Sequence, residues 1–417
     1  MDILILGGGV SGLASALALT KFAPEGLIPK IQIFETRPVP ATIGGAVNLT
    51  PNSLRLLDRL GALQIIRDRN YGETINVLDI FDVYSGKLAE SSFLGPDGKG
   101  LGDPPYKALR ITRGDALKGV LAAIEKHPNI TLTCGKRTTK IEETDSSVTL
   151  TFEDGTTATG DILLGCDGIH SVARLQHVEP ERKAIYSGVS NAFGFAPLRD
   201  NLEVHFDCTA INFARRGMLL TSWHEPTRKS VYVGALMQVP DIGSRDGWKA
   251  AGADQAKIKS DILERFATDS VLPAIAPLVE DAQDFYLWPV FTLTKGGKWA
   301  TERTMLLGDA AHAMPPQGEA TGIVFEDTVL FARSLMRWVE LGKPETMKWA
   351  FDKYELLRRA RIEVAFDESQ SVITAVSDAG WLGYRIKTLV IPWFIWWSRQ
   401  HRDKNFIEDV TTSELGF

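Results

Sequence analysis

Apolar runs and a helical repeat alternate along the first 35 residues of the chain. Residues 3–6 are all apolar, which is typical of a central parallel strand covered on both faces. Residues 13–22 carry Ala and Leu at helical spacing, and residues 31–34 form a second apolar run. This order predicts a strand, a helix and a second strand, as at the start of a layered α/β domain.

Three glycines connect the first predicted strand to the helix. Gly7, Gly9 and Gly12 have the G-x-G-x-x-G spacing, which permits a tight turn, close approach of a pyrophosphate and close helix–strand packing. The following helix N-terminus favours phosphate groups. Glu35 ends the second strand, where a carboxylate accepts ribose hydroxyls and repels a 2′-phosphate. The unit therefore predicts the adenosine of FAD or NAD rather than NADP, and it does not choose between the first two.

Composition and charge exclude several classes of function. The length of 417 residues favours two or three domains, and the formal net charge of −6 gives no basis for binding nucleic acid. Cys134, Cys166 and Cys208 form neither a disulfide framework nor a metal-ligand pattern, so we expect no metal and a reducing, cytoplasmic location. The N-terminus lacks the basic segment of a signal peptide, and no apolar run is long enough to predict a membrane span.

Two later segments each place an acid after an apolar strand. Residues 160–174 contain such a run followed by Asp167, and they end in Arg174. Residues 302–327 contain a second run followed by Asp309. A carboxylate at a strand end, such as Asp309, can accept hydrogen bonds from the hydroxyls of a ribityl chain.

Together with the glycine turn, these motifs resemble those of the single-component FAD-dependent aromatic hydroxylases, the class A monooxygenases similar to para-hydroxybenzoate and salicylate hydroxylases. In that family a glycine fingerprint, an Asp-Gly motif and a Gly-Asp motif serve one FAD, and all three occur here in order, within a resemblance that spans about residues 1–361. Arg113 resembles the arginine that reaches the flavin, and residues 44–46 resemble the loop beside the ribityl chain. The resemblance implies a cofactor site made of Gly7, Gly9, Gly12, Glu35, Gly45, Ala46, Arg113, Asp167, Asp309, Gly318 and Gly322.

The resemblance implies a reaction as well as a cofactor. NADH or NADPH reduces the FAD, O2 forms a flavin C4a-hydroperoxide, and one oxygen atom hydroxylates or epoxidises a small aromatic or natural-product substrate of secondary metabolism. The protein holds the substrate, excludes water and stabilises flavin charge. A flavin oxidase or dehydrogenase without oxygen insertion, or a non-catalytic flavin-binding redox protein, would carry the same motifs and stays an alternative.

The segment after Asp309 supplies the candidates for catalysis. From the resemblance, Pro315 and Pro316 are expected to shape the wall near the reactive edge of the flavin, and His312 is a candidate base that is mostly structural in the family. Residues 318–320 read Gly-Glu-Ala where the family usually has Gly-Gln-Gly. We expect Glu319 to cap the next helix, the alternative being that it faces the flavin and opposes its anionic form.

The patterns and the resemblance together predict an α/β fold. It combines a Rossmann-like FAD-binding domain of the glutathione-reductase type, an interleaved antiparallel-sheet substrate domain and C-terminal helices. The assignment is residues 1–75, 100–178 and 280–345 to the FAD-binding domain, 76–99 and 179–279 to the substrate domain, and 346–417 to the C-terminal helical segment.

Aromatic residues of the middle region are the candidates for the substrate pocket, namely Phe193, Phe213 and Trp223. Some relatives place an arginine on the strand after a Ser-Gly pair to favour a phenolate. No arginine follows Ser187-Gly188 here, which favours an apolar substrate or activation by another group.

Residues 380–400 concentrate tryptophans and other aromatics beside basic residues. Such a segment can mark a helix at a membrane interface. Because aromatic-rich tails usually pack, we instead expect a helix that covers the active-site entrance or forms a dimer contact, and membrane association stays the alternative.

Overall fold

The computed structural model describes residues 1–42, 44–316, 318–343 and 345–417. Its strands, numbered along the chain, are β1 (Asp2–Leu6), β2 (Lys30–Glu35), β3 (Ala46–Leu49), β4 (Glu73–Ile75), β5 (Val77–Asp82), β6 (Gly86–Ser92), β7 (Ala108–Thr112), β8 (Ile130–Cys134), β9 (Thr138–Glu143), β10 (Val148–Phe152), β11 (Thr157–Gly160), β12 (Ile162–Gly165), β13 (Ile185–Pro197), β14 (Thr209–Ala214), β15 (Gly217–Ser222), β16 (Ser230–Gln238), β17 (Gln283–Thr292) and β18 (Thr304–Leu306).

The α-helices of the described residues are α1 (Val10–Lys21), α2 (Pro51–Arg59), α3 (Leu63–Asp68), α4 (Arg113–Ile124), α5 (Arg245–Ala253), α6 (Gln255–Phe266), α7 (Ile275–Asp281), α8 (Asp309–His312), α9 (Ala320–Glu340), α10 (Met347–Val376) and α11 (Trp381–Ile407). A single π-helical turn, Arg174–Val178, follows β12.

A five-stranded parallel sheet forms the first layer, in the order β18-β12-β1-β2-β8. Its central strand β1 is covered on both faces, and Ile3, Leu4 and Ile5 are completely buried. The apolar run predicted from the sequence is therefore a central strand, as expected for a parallel sheet flanked by helices. Because all neighbours are parallel, the carboxyl ends of the strands lie at one edge of the sheet.

A seven-stranded sheet forms the second unit, in the order β17-β13-β16-β15-β14-β5-β6. Its pairs are antiparallel except for β14 and β5, and one of its faces packs against α6 and α7 through a separate apolar core. Residues 76–99 contribute β5 and β6 to this sheet. The assignment of residues 280–345 to the FAD-binding domain is wrong at its beginning, because β17 pairs along the free edge of β13.

Two smaller sheets complete the strands, in the orders β11-β10-β9 and β3-β7-β4. The second of these lies where the two larger units meet, since Ala46 of β3 packs with Phe193 and Tyr232 of the seven-stranded sheet.

The long helix α10 packs along α9 through a buried ionic cluster. The Arg358 guanidinium lies 2.5 Å from Asp327 and 2.7 Å from Glu326, and it donates to the Ile323 carbonyl at 2.9 Å. Asn52 of α2 donates to the other oxygen of Glu326 at 2.7 Å. Although burial opposes ionisation, the Arg358 charge holds the pKa of Asp327 below its ordinary value. The cluster thus links three helices.

The second C-terminal helix, α11, packs on α2 and β6. Across the described part of the chain, no helix combines the length and the apolar character needed to cross a membrane.

Arg358→Leu should destabilise the protein strongly. Removing one partner of a buried ion pair leaves uncompensated charge on Asp327 and Glu326, and such changes cost about 3–5 kcal/mol. Arg337, whose pair with Glu340 is exposed, provides the control, and Arg337→Leu should cost at most about 1 kcal/mol. Urea unfolding of the two variants measures both values, and equal losses would show that the buried cluster has no special role.

Candidate active site

The carboxyl edge of the five-stranded sheet brings the separate sequence motifs together. Gly7 follows β1, Glu35 ends β2, Asp167 follows β12 and Asp309 follows β18. These strands are neighbours in the order β18-β12-β1-β2, so residues far apart in the chain border one site. Ligands of open α/β sheets bind at this edge.

The glycine turn is packed so closely that side chains are excluded at two positions. Gly7 has φ +106°, and a Cβ there would lie 2.3 Å from the carbonyl oxygen of Cys166. A Cβ on Gly12 would lie 2.0 Å from the carbonyl oxygen of Gly7. At Gly9, by contrast, no atom lies within 4 Å of the Cβ position, and no side chain caps α1. The N-terminus of α1 therefore faces open space, as a phosphate site requires.

Glu35 holds the glycine turn in place and keeps capacity for a ligand. Its carboxylate accepts hydrogen bonds from the backbone N–H groups of Gly8 at 2.9 Å and Arg37 at 2.8 Å. A carboxylate offers about four acceptor positions, so about two remain for ribose hydroxyls.

The other two acids of this edge have unused oxygens. Asp167 Oδ2 accepts from the N–H groups of Val172 and Ala173, whereas its buried Oδ1 has no partner. Burial raises the pKa of Asp167. Asp309 is exposed, and no described residue bonds to its carboxylate. Two strand-end carboxylates thus have free acceptor capacity toward hydroxyl groups.

Two buried arginines fix the segment that carries Asp309. Arg174 donates to the carbonyl oxygens of Ala310 at 2.8 Å and Ile169 at 2.5 Å. Arg182 donates to the Ala311 carbonyl at 2.8 Å. Sequence reasoning noted Arg174 within its motif but missed Arg182, which belongs to no motif and acts only through the fold.

The loop of residues 44–46 and Arg113, which the resemblance marks separately, are adjacent in the structure. The Arg113 N–H donates to the Gly45 carbonyl at 3.0 Å, and a Cβ on Gly44 would lie 2.4 Å from the Arg113 side chain. The Arg113 side chain is exposed at the first residue of α4. A Cβ on Gly45 would lie 2.1 Å from the ring of Tyr232, so the loop also contacts the seven-stranded sheet.

Arg110 is a buried cation that sequence reasoning missed. It donates to Ser222 Oγ and to Asn48 Oδ1, each at 2.9 Å, and it lies 4.8 Å from the centre of the Tyr232 ring. Its Nη2 has no partner, and none of these contacts is a carboxylate. Burial lowers the pKa of Arg110 to about 10. No sequence signal marks this residue, because its environment comes from three separate strands.

The three predicted pocket residues have different positions. Phe193 packs with Ala46 and Tyr232, beside the loop of residues 44–46. Phe213 alternates along β14 with Ala210 and Ala214, which belong to the apolar core beneath α6 and α7. It therefore lies on the other face of the sheet, the face that also carries Phe193, and Lys387 lies 5.1 Å from its ring. The prediction for Trp223 is wrong, because its side chain belongs to the α6–α7 core and donates to the Asp207 carbonyl.

His312 lies in the core rather than in an open cleft. Its side chain is 4% exposed, its Nε2 lies 3.0 Å from Asp327 Oδ2 without hydrogen-bond alignment, and its ring centre is 5.3 Å from that of Trp299. These contacts favour packing over proton transfer to a substrate. Pro315 is buried and Pro316 is exposed beyond the end of α8. Within the described residues, no group of three or more His, Cys, Asp or Glu side chains is arranged to hold a metal ion.

Glu319 is the N-cap residue of α9, the position expected for it. Its side chain makes no capping bond, however, and instead pairs with Arg361 of α10 at 3.2 Å. Gly318, just before it, is exposed with φ +87°. Gly322 is explained by packing, since a Cβ there would lie 2.9 Å from Ser53 Oγ of α2. Its predicted role in cofactor binding therefore has no support in these contacts.

The protein combines a Rossmann-like sheet edge and glycine turn with a large sheet that has an aromatic face. This combination places it in the class of FAD-dependent aromatic-hydroxylase-like flavoproteins. The chain belongs to the FAD binding domain family, whose model matches residues 1–369. The α/β fold and FAD as cofactor, both expected from the sequence, are thereby confirmed. The open N-terminus of α1 and the free oxygens of Asp167 and Asp309 fit this cofactor.

Relatives and solved structures agree with this placement. Salicylate hydroxylase of Pseudomonas putida is 29% identical over 355 residues, covering 80% of this chain and 76% of that protein. Hispidin-3-hydroxylase of Neonothopanus nambi is 26% identical over 385 residues, covering 88% and 87%. The crystal structure of Klebsiella pneumoniae HpxO with FAD and uric acid has a TM-score of 0.73 at 20% identity, covering 96% of this chain and 93% of that chain.

Replacing two glycines of the turn should separate packing from ligand binding. Gly12→Ala places its methyl group against the Gly7 carbonyl and should lower the melting temperature of the apoprotein. Gly9→Ala meets no protein atom, so it should leave the apoprotein stable while weakening FAD binding tenfold or more, because the methyl group enters the phosphate space. Thermal unfolding and FAD titration measure the two effects. Normal FAD affinity in Gly9→Ala would contradict the assignment of the phosphate site.

Stability should depend on the ionisation of Glu319. Burial, only partly offset by Arg361, raises the pKa of Glu319 from 4.5 to about 7. A folded-state pKa above the unfolded value stabilises the protein below pH 4.5, and this contribution is lost as the pH rises to about 7. Glu319→Gln should therefore gain melting temperature relative to the parent between these values. Glu340→Gln, at an exposed site, is the control, and a relative loss in Glu319→Gln over this range would contradict the shift.

Proposed function

We propose that the protein is an NAD(P)H-dependent FAD monooxygenase that inserts one atom of O2 into a small aromatic or natural-product substrate. One observation carries the proposal. The loop of residues 44–46, which we assign to the flavin and call the flavin loop, is in direct contact with an aromatic sheet face, with Ala46 packed on Phe193 and Tyr232. An aromatic molecule beside this face would lie next to the flavin loop. The relatives named as hydroxylases of salicylate and hispidin support the same reaction class.

Different residues of the cofactor site bind different parts of the FAD molecule. The N-terminus of α1 receives the pyrophosphate, Glu35 the adenosine ribose, and Asp309 the ribityl hydroxyls. Arg113, exposed beside the loop of residues 44–46, is available to the flavin. When bound, FAD supplies the transfer of electrons from the nicotinamide to O2 and of oxygen to the substrate. No second glycine fingerprint is present in the sequence, so the nicotinamide binds transiently.

The aromatic face supplies apolar surroundings for a flat substrate. Phe193 is stacked with Tyr286, with ring centres 5.4 Å apart, and with Tyr232, at 6.1 Å. Tyr286 is half exposed, so this stack extends from the buried loop to the surface. Offset stacking against such rings favours aromatic ligands and keeps water from the reacting atoms.

Arg110 gives this wall a positive potential. The guanidinium is buried, without a carboxylate partner, and 4.8 Å from the Tyr232 ring centre. A charge in such surroundings is poorly screened and acts on neighbouring groups that it does not touch. We therefore propose a substrate with an ionisable hydroxyl group, whose phenolate form Arg110 favours. Arg110 would be the activating group that the sequence after Ser187-Gly188 lacks.

The first experiment is a visible spectrum of the purified protein, followed by NADH and NADPH consumption in air with phenols and their methyl ethers. We expect a flavin spectrum, nicotinamide oxidation stimulated by phenols, and an oxygenated product. Hydrogen peroxide formed without an oxygenated product would indicate an oxidase. A colourless protein that FAD does not reconstitute would refute the cofactor assignment.

Arg110→Met tests the role of the buried charge. The variant should lose tenfold or more in kcat/KM for phenols, equivalent to about 1.4 kcal/mol, and its pH optimum should rise because the phenolate is less favoured. Arg110→Lys, which keeps a charge, should recover part of the rate and the pH profile. Melting temperatures and FAD content of both variants control for structural damage. An unchanged pH profile in a folded, flavin-loaded Arg110→Met protein would leave Arg110 with a purely structural role.

A further inference from the structure

The helix α11 presents a continuous apolar surface to solvent. Leu389 is 76% exposed, Trp396 is 73% exposed and Trp381 is 67% exposed. Large hydrophobic side chains along one stretch share this exposure, namely Trp381, Leu382, Ile386, Leu389, Val390, Trp393, Phe394, Trp396 and Trp397. In the single chain this aromatic segment is thus largely exposed rather than packed, and the expected dimer contact stays a prediction. A contiguous apolar surface of this kind marks an interaction site.

The exposure does not come from a detached helix. The Tyr384 hydroxyl donates to Asp82 at 2.6 Å and to the Phe213 carbonyl at 2.9 Å. At the other end, Arg402 donates to Ser91 and Ser92 of β6, and Phe406 is buried. Both ends of α11 are thus fixed to the seven-stranded sheet, with the apolar surface pointing away from it.

The charges on α11 identify the kind of partner. From Trp381 to Ile407 the helix has five basic residues and one acidic residue, a formal charge of +4 in a chain whose net charge is −6. Residues 388–398 carry no charged side chain, so the basic groups flank an apolar centre. Tryptophans in an apolar centre with basic residues at its ends match the boundary of a bilayer with anionic headgroups.

A second copy of the chain is a poorer match. An isologous contact would bring the exposed basic side chains of two copies, such as Arg385 and Arg399, together at the rim of the interface. A membrane span is also a poor match, because the inward side of α11 is held by polar bonds of Tyr384 and Arg402. The helix α11 therefore fits a position parallel to the bilayer surface better than one that spans the bilayer.

We propose that α11 docks the protein on anionic lipid surfaces, with the helix lying in the plane of the interface. Trp393, Trp396 and Trp397 enter the boundary between headgroups and acyl chains, and Arg385 and Arg399 contact anionic headgroups. The FAD-binding sheet stays in water. This docking is independent of the proposed reaction and would hold for any activity of the flavin site.

Flotation of the flavin-loaded full chain with lipid vesicles tests the proposal. Binding to vesicles of phosphatidylcholine with phosphatidylserine is expected, with much weaker binding to phosphatidylcholine alone and a decrease at high salt. Tryptophan emission should shift to shorter wavelength on binding and be quenched by brominated phosphatidylcholine.

The double variant Trp396→Ser, Trp397→Ser should lose at least tenfold in vesicle affinity. Leu356→Ser, which removes an equally exposed apolar side chain from α10, is the matched control and should bind as the parent does. The flavin spectrum and melting temperature verify that each variant is folded. Absence of vesicle binding by the parent, or unchanged binding by the double variant, overturns the proposal. A concentration-dependent dimer that the double variant abolishes, without vesicle binding, assigns the surface to a second copy.

Discussion

The close contact between the glycine turn and the strand beside it is the constraint on which the rest of the site depends. Without side chains on Gly7 and Gly12, the backbone after β1 can touch both Cys166 and the start of α1. This contact aims the N-terminus of α1 along the carboxyl edge of the sheet. Asp167 and Asp309 then border the same space because β12 and β18 are parallel neighbours of β1.

Buried arginines provide a second level of organisation. Arg174 and Arg182 hold backbone carbonyls of α8, whereas Arg358 binds two carboxylates between α9 and α10. A guanidinium has five donors in a planar array, so one side chain can join several elements of the fold. Such groups stabilise one arrangement of the helices, since a different arrangement would leave them buried and unpaired.

Different kinds of side chain line the two sides of the junction between the two large sheets. On one side lies the loop of residues 44–46 with Arg113, and on the other lies a wall of Phe193 and Tyr232 with Arg110 beneath it. In the proposed reaction the aromatic rings would exclude water and the buried cation would supply charge, two requirements that one residue type cannot meet. At the opposite end of the same sheet, α11 turns its tryptophans outward, so the sheet lies between the loop of residues 44–46 and the proposed lipid-docking surface.

The sequence by itself determined those features that depend on local spacing. The strand–turn–helix unit and the acids at strand ends follow from short patterns, because neighbouring residues impose them whatever surrounds them. The resemblance marks Arg113 and residues 44–46 separately, and only the pairing of β3 with β7 brings them together. The tertiary structure alone decided the face on which Trp223 lies, the partner of Glu319, the membership of β17 and the burial of Arg110. Each depends on strand register or on a helix contributed from elsewhere in the chain, which residue types do not encode locally. The exposure of α11 is of the same kind, because an aromatic helix is buried only if another surface is there to cover it.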